Sequence, residues 1–222
     1  MTNQRVESFE QLHQVVESYS NVMAIFRGHG KASYDLRPSV GRMKFFGGAH
    51  VPGERAMLNN FKRRSIPFLE FRPETEWDWL ALAQHHGLPT RLLDWTRNPL
   101  VAAYFAVEDD ECEKDGAIYI MSGVSSIDIL THSDPLDVSE VKRFVPRHIT
   151  RRLIAQAGLF TIHPEPRSSM AENTPGLDCI IVSAALRRSL KQTLYRYGVH
   201  RESLFPGLDG LAAHIRWVNE AY

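Results

Sequence analysis

"QHHGLPTRLLDWTRNPLVAAYFA", residues 84–106, holds the end of one helix, a strand and the start of a second helix in a single short stretch. Helically spaced apolar residues enter it from "EWDWLALAQHH". Thr75, with a capping-box partner at Asp78, predicts a helix from Thr75 that Gly87 stops. "TRLLDW" then reads as a strand and Thr96 to Asn98 as a turn. Pro99 is the first residue of an apolar helix, "PLVAAYFAV", capped by Asn98. His85, His86, Arg91, Asp94, Thr96 and Arg97 gather where the strand begins and ends.

Upstream, "SFEQLHQVVESY" carries helical spacing over residues 8–19 with Ser8 as its cap, and "VMAIF" reads as a buried strand that ends at Arg27 in "FRGHG". The run "GHGKASYDLRPSVGR" has the glycines and proline of a long loop, and a helix is predicted from Pro52 to about Phe68, broken at Pro67. Downstream, "GAIYIM", "LFTIH" and "CIIVS" read as strands, with a helix near 147–157 and an exposed loop, "PEPRSSMAENTPGL", between the last two strands. "ALRRSLKQTLYRYG" is an amphipathic helix closed by Gly198, and a final helix begins near Leu208. With no repeat and no linker, the expectation is one α+β domain over residues 1–222, with the helix in residues 1–20 part of it.

Composition narrows the function. A 43% apolar fraction excludes a disordered chain, and the balance of 26 basic against 26 acidic residues removes any global pull toward nucleic acid or membrane. Local basic stretches remain in Lys62-Arg63-Arg64, "KRFVPRHITRR" from 142 and "LRRSLKQ" from 186. Cys112 in an acidic run and Cys179 in a strand read as a solvated and a core thiol. With no signal-peptide pattern and no apolar span, a cytoplasmic, disulfide-free protein is expected. HExxH, Cys-x-x-Cys, Walker, GxGxxG and G-x-S-x-G patterns are missing, so no metal site is expected and the common nucleotide and hydrolase readings lack support.

The polar residues have structural readings too. Asp94 fits a turn that caps the following helix, Arg91 fits an ion pair with Asp94 or a helix C-terminus, and the two histidines suit the end of a helix dipole. Arg27 alone reads as an ion-pair partner and Glu202 as a solvated loop residue.

Taken together, "FRGHG", "LAQHHGLPTRLLDWTRNPLVAAYFA", "DGAIYI", "RRLIAQAGLFTIHP" and "ESLFPGLDGLAAHI" resemble, in order and spacing over about residues 20–218, the FRG domain family, named for its phenylalanine-arginine-glycine motif. The motif order is in turn similar to ADP-ribosyltransferases of the arginine-serine-glutamate type. Arg27-Gly28 stands for the first strand's end, and Asp94-Trp95-Thr96 with Ala102 to Ala106 for the central strand and small-residue helix. Glu202 in "ESLFP" stands for the late glutamate. That resemblance implies a split β-sheet core with flanking helices and NAD as co-substrate without a metal. It also implies transfer of ADP-ribose to a macromolecule, either RNA or DNA or a protein. A toxin or antiviral effector held by an inhibitory antitoxin-type partner would suit such a domain.

Carried onto these residues, Arg27, Thr96 and Glu202 are the implied catalytic set, and Arg27, Gly28, Tyr34, Asp94, Thr96, Tyr104, His85 and Arg91 the implied NAD contacts. Arg27 would grip the pyrophosphate, and Gly28 and Gly30 would let it approach the backbone. Thr96 would position the nicotinamide ribose, Tyr34 or Tyr104 would stack on nicotinamide, and Glu202 would stabilise the ribosyl cation. Two departures stand out: "DWT" retains a single hydroxyl, and His200 occupies the place where arginine-modifying enzymes carry a second Glu or Gln. A non-catalytic module binding NAD metabolites and an NAD glycohydrolase are the alternatives.

Overall fold

The structure, a computed structural model, describes residues 3–19, 23–45, 48, 50–69, 72–147, 150–170 and 174–221. They form a single α+β domain around one mixed sheet of seven strands: β1 (Asn3–Val6), β2 (Ile25–His29), β3 (Leu92–Thr96), β4 (Gly116–Met121), β5 (Lys142–Phe144), β6 (Gly158–Ile162) and β7 (Leu177–Val182). Their spatial order is β1-β7-β4-β2-β3-β6-β5, with β1 parallel to β7 and every other pair antiparallel.

Eight α-helices accompany the sheet among the described residues: α1 (Phe9–Glu17), α2 (His50–Ser65), α3 (Glu76–His85), α4 (Pro99–Val107), α5 (Arg151–Ala155), α6 (Arg187–Arg196), α7 (Arg201–Leu204) and α8 (Leu208–Ala221). None is long and apolar enough to cross a membrane. The expected caps are in place. Thr75 and Asp78 form the capping box of α3, and the Asn98 side chain accepts from Leu100 N at 2.9 Å to start α4.

Three apolar clusters divide the interior. One packs α1, α4 and α6 on Phe26, Ile118, Ile120 and Ile180; a second packs α2 and α3 on Leu92, Phe160 and Ile162. The third lies on Ile25, Leu93, Trp95, Tyr119 and Leu159. Because side chains alternate along a strand, the first two clusters share one face of the sheet and the third occupies the other.

Between the first two clusters the sheet opens. β2 pairs with β4 along its whole length, Ile25↔Met121 to His29↔Ala117, but meets β3 only at Phe26↔Thr96. Beyond that point the two strands diverge, leaving a gap flanked by backbone groups that have left the ladder.

Several expectations change. Arg27 is the middle residue of β2 and does not end it, since the strand begins at Ile25 and continues through His29; Val22 lies outside the described residues. α2 begins at His50 and ends at Ser65, with Pro67 inside a separate 3-10 turn, Ile66–Phe68. α5 is a short turn of helix capped by Thr150, and His148 and Ile149 fall outside the described residues. β1, β5 and α7 were not anticipated. Cys112 and Cys179 are both free, and burial pushes the Cys179 thiol up to about 11.

Candidate functional site

Arg27 occupies the gap. Strand parity assigns its Cβ to the face of Ile25 and His29, yet its guanidinium turns into the opening between β2 and β3. There Nη1 donates to the Asp94 carbonyl at 2.5 Å and lies 3.6 Å from the Asp94 carboxylate. Nε donates to His29 Nε2 at 3.0 Å, and Nη2 has no hydrogen-bond partner among the described residues. The side chain is 22% exposed. Burial lowers its pKa and Asp94 raises it, and a guanidinium keeps its charge at any ordinary pH.

To accept from Arg27, His29 must be neutral. Burial first, then Arg27, pushes its pKa down to about 3; burial with Arg27 and Arg91 pushes His163 down to about 4. His163 closes a buried chain with the Thr161 hydroxyl at 2.8 Å and the Trp95 indole, which donates to that hydroxyl at 2.8 Å. The unfolded chain takes up a proton at each histidine below about pH 6.5 and the folded protein does not, so their contribution is complete above that pH and drains away on acidification toward 4 and 3. Going from pH 7.5 to 5.5 is expected to cost about 1 kcal/mol of stability per histidine. Denaturation midpoints across that range check this, with His163→Gln removing about half of the slope.

Asp94 is the exposed residue of an otherwise buried β3, with its side chain 59% accessible. Gln84 Nε2 at the end of α3 holds its carboxylate at 2.9 Å, and Thr90 holds Gln84 in turn at 2.7 Å. Asp94 and Gln84, with His85, Thr96, Arg152 and Gln156, line a cleft of about 340 Å³ above the split, and Asp94 supplies its one acidic side chain among the described residues. A groove of about 570 Å³ continues from it, sharing His85, Leu153 and Phe160 and adding Arg147 and Arg151. The two histidine rings meet edge-on at 5.0 Å, and burial followed by His86 holds His85 below its ordinary pKa.

The cleft gathers Arg27, Gly28, His85, Asp94 and Thr96 from the implied set and leaves four residues elsewhere. Arg91 is 1% exposed and forks onto Glu54, with Nε and Nη2 at 2.8 and 3.0 Å from its carboxylate. That pair ties β3 to α2, so the ion-pair partner of Arg91 is Glu54 and not Asp94, and Arg91 lies outside the cleft lining. Tyr104 is buried within α4 and faces a different cavity, and burial raises its phenol pKa, with Glu108 adding to the effect. Tyr34 is exposed, packed edge-on against His29 and under Lys31, outside the cleft lining. Glu202 sits in α7, outside the cleft lining as well, grouped with His200 and His214.

Two further roles differ from expectation. The Thr96 hydroxyl donates to the Gln156 carbonyl at 2.6 Å and accepts from Asn98 N at 2.9 Å, so it fastens the end of β3 to the segment just ahead of β6. Gly28 is required by the helix behind it: a Cβ there would stand 2.0 Å from the Ala102 carbonyl oxygen and 2.7 Å from Ala106 N. Its missing side chain admits α4.

Gln84, Arg152 and Gln156 were not singled out from the sequence. All three fall within quoted motifs, and Gln156, placed just ahead of β6, also donates to the Leu204 carbonyl at 3.0 Å and so joins the cleft to α7. No curated protein and no solved structure matches the chain. Residues 22–115, which carry β2, β3, the split between them and the α4 helix that Gly28 admits, match the family model of the FRG domain, and this match supports the FRG family for the chain.

Proposed function

We propose that the chain is an NAD-dependent ADP-ribosyltransferase acting on a macromolecule, with the cleft over the β2–β3 split as its active site. One observation carries the reading: the Arg27 guanidinium lines the cleft, held by His29 and Asp94 through Nε and Nη1, while Nη2 has no hydrogen-bond partner among the described residues. Such a pre-oriented donor suits a pyrophosphate oxygen, since an oriented guanidinium makes short charge-assisted bonds to phosphate. Arg152 adds a second cation in the cleft, and the adjoining groove offers a second lobe for the other half of a dinucleotide. The divergence of β2 from β3 beyond Phe26↔Thr96, within one seven-stranded sheet, supports the reading.

Cleaving the bond between nicotinamide and ribose builds positive charge on the ribose, which a nearby carboxylate stabilises. Asp94 lines the cleft, so we assign it that task in place of Glu202, and we give Thr96 the role of positioning Gln156. A nucleotide-binding module without transfer is the second reading, favoured by the placement of Glu202 outside the cleft lining.

The test incubates the full chain with labelled NAD and separate cellular protein, RNA and DNA fractions. Label should enter one fraction and fall about a hundredfold in Arg27→Ala and Asp94→Asn, with Glu202→Gln retaining transfer. Loss confined to Glu202→Gln returns the carboxylate role to that residue. Free ADP-ribose as the sole product marks a glycohydrolase, and binding without nicotinamide release marks the binding module.

A further inference from the structure

His200, at the start of α7, Glu202 within it and His214 in the second turn of α8 each offer one ligand atom, and these atoms lie within 4.8 Å of one another. The two imidazoles stack at 4.2 Å with 22° between their planes. His214 is 8% exposed, and its Nδ1 is buried with no hydrogen-bond partner among the described residues, while the His200 side chain belongs to the capping box of α7. A buried polar nitrogen without a partner is rare because it has lost water and gained nothing in exchange. Next to a second imidazole and a carboxylate, it is part of a ligand set. Tyr195 packs against both rings, and His200, His214 and Tyr195 border a cavity of about 580 Å³, whose lining does not include Glu202.

We propose that His200, Glu202 and His214 bind one divalent transition-metal ion of the zinc class. Two neutral imidazole nitrogens and one carboxylate oxygen form a donor set that zinc-class ions accept, with a fourth position left open toward the cavity. In a tetrahedral site with bonds near 2.0–2.1 Å the ligand atoms stand roughly 3.4 Å apart. Closure therefore requires one imidazole to turn out of the stack, because lone pairs lying in nearly parallel ring planes do not meet at one ion, and exposed Glu202 to change rotamer. The ion would bridge the turn between α7 and α8 and fix α7. The Leu204 carbonyl of α7 receives Gln156 of the cleft, and Arg201 and Arg152 both cover the Phe205 ring that follows it.

The site is independent of the proposed transfer reaction and its readout needs no NAD. Chelator-treated full chain is titrated with Co²⁺, followed by visible absorption and the thermal midpoint. One equivalent should bind with d–d bands of a low-coordinate N/O site, raise the midpoint and be displaced by Zn²⁺. Affinity should fall at least tenfold in Glu202→Gln and in His200→Gln; Glu202 is exposed, so its variant keeps the fold. No stoichiometric Co²⁺ binding by the wild-type chain, or unchanged affinity in both variants, overturns the assignment.

Discussion

Gly28→Ala should lose about 3 kcal/mol of stability in chemical denaturation, far more than a single methyl group suggests. The new Cβ would stand 2.0 Å from the Ala102 carbonyl oxygen and 2.7 Å from Ala106 N, both backbone atoms of α4. No rotamer change relieves such a contact, so α4 must lift from β2. Ala102, Ala103 and Ala106, fully buried in that seam, then lose their close packing. Gly30→Ala is the internal control, because its nearest neighbour would be 4.0 Å away, and it should stay within about 0.5 kcal/mol of wild type. Equal effects of the two substitutions would contradict the packing role.

Arg91→Met is expected to cost about 3–5 kcal/mol. Arg91 and Glu54 are 1% and 4% exposed, and the guanidinium also reaches the carbonyls of Leu136 and Pro164 at 3.3 and 3.5 Å. Removing the cation leaves a carboxylate buried without its partner, which is far more costly than removing both charges. The double variant Arg91→Met/Glu54→Leu should therefore recover part of the loss. Denaturant midpoints of the three variants measure this directly. A double variant no more stable than Arg91→Met would show that the Leu136 and Pro164 contacts dominate.

Much of the fold was legible because burial leaves a local trace. β3, β4, β6 and β7 are apolar runs, and α3 and α4 announce themselves through Thr75, Asp78, Asn98 and Pro99. β1 and β5 were not, since "NQRV" and "KRF" are short edge strands whose identity comes from pairing with β7 and β6 rather than from their own composition. β5 lies at the start of the basic stretch "KRFVPRHITRR".

The site was legible in part. Arg27, Asp94 and Thr96 stand in the quoted motifs, though Arg27 and Asp94 prove to be mid-strand, and the partner of Arg91 lies 37 residues away in α2, beyond the reach of any local pattern. Gly28 was identified correctly as a place of close approach and assigned the wrong neighbour, because the sequence shows the missing side chain and not what fills the space. The proximity of His200 to His214 was hidden for a similar reason: a search by short spacing does not join residues that α7 and α8 bring together.

The central claim is that Arg27 offers an open, pre-oriented donor to an anionic dinucleotide. The most direct measurement is a calorimetric titration of the full chain with NAD and with ADP-ribose, beside Arg27→Ala shown to be folded by its unchanged denaturation profile. We expect saturable binding of both ligands by the wild-type chain and a loss of at least about tenfold in the variant, as befits a charge-assisted bond. Equal affinities of the two proteins, or no binding to the folded wild-type chain, would contradict the account.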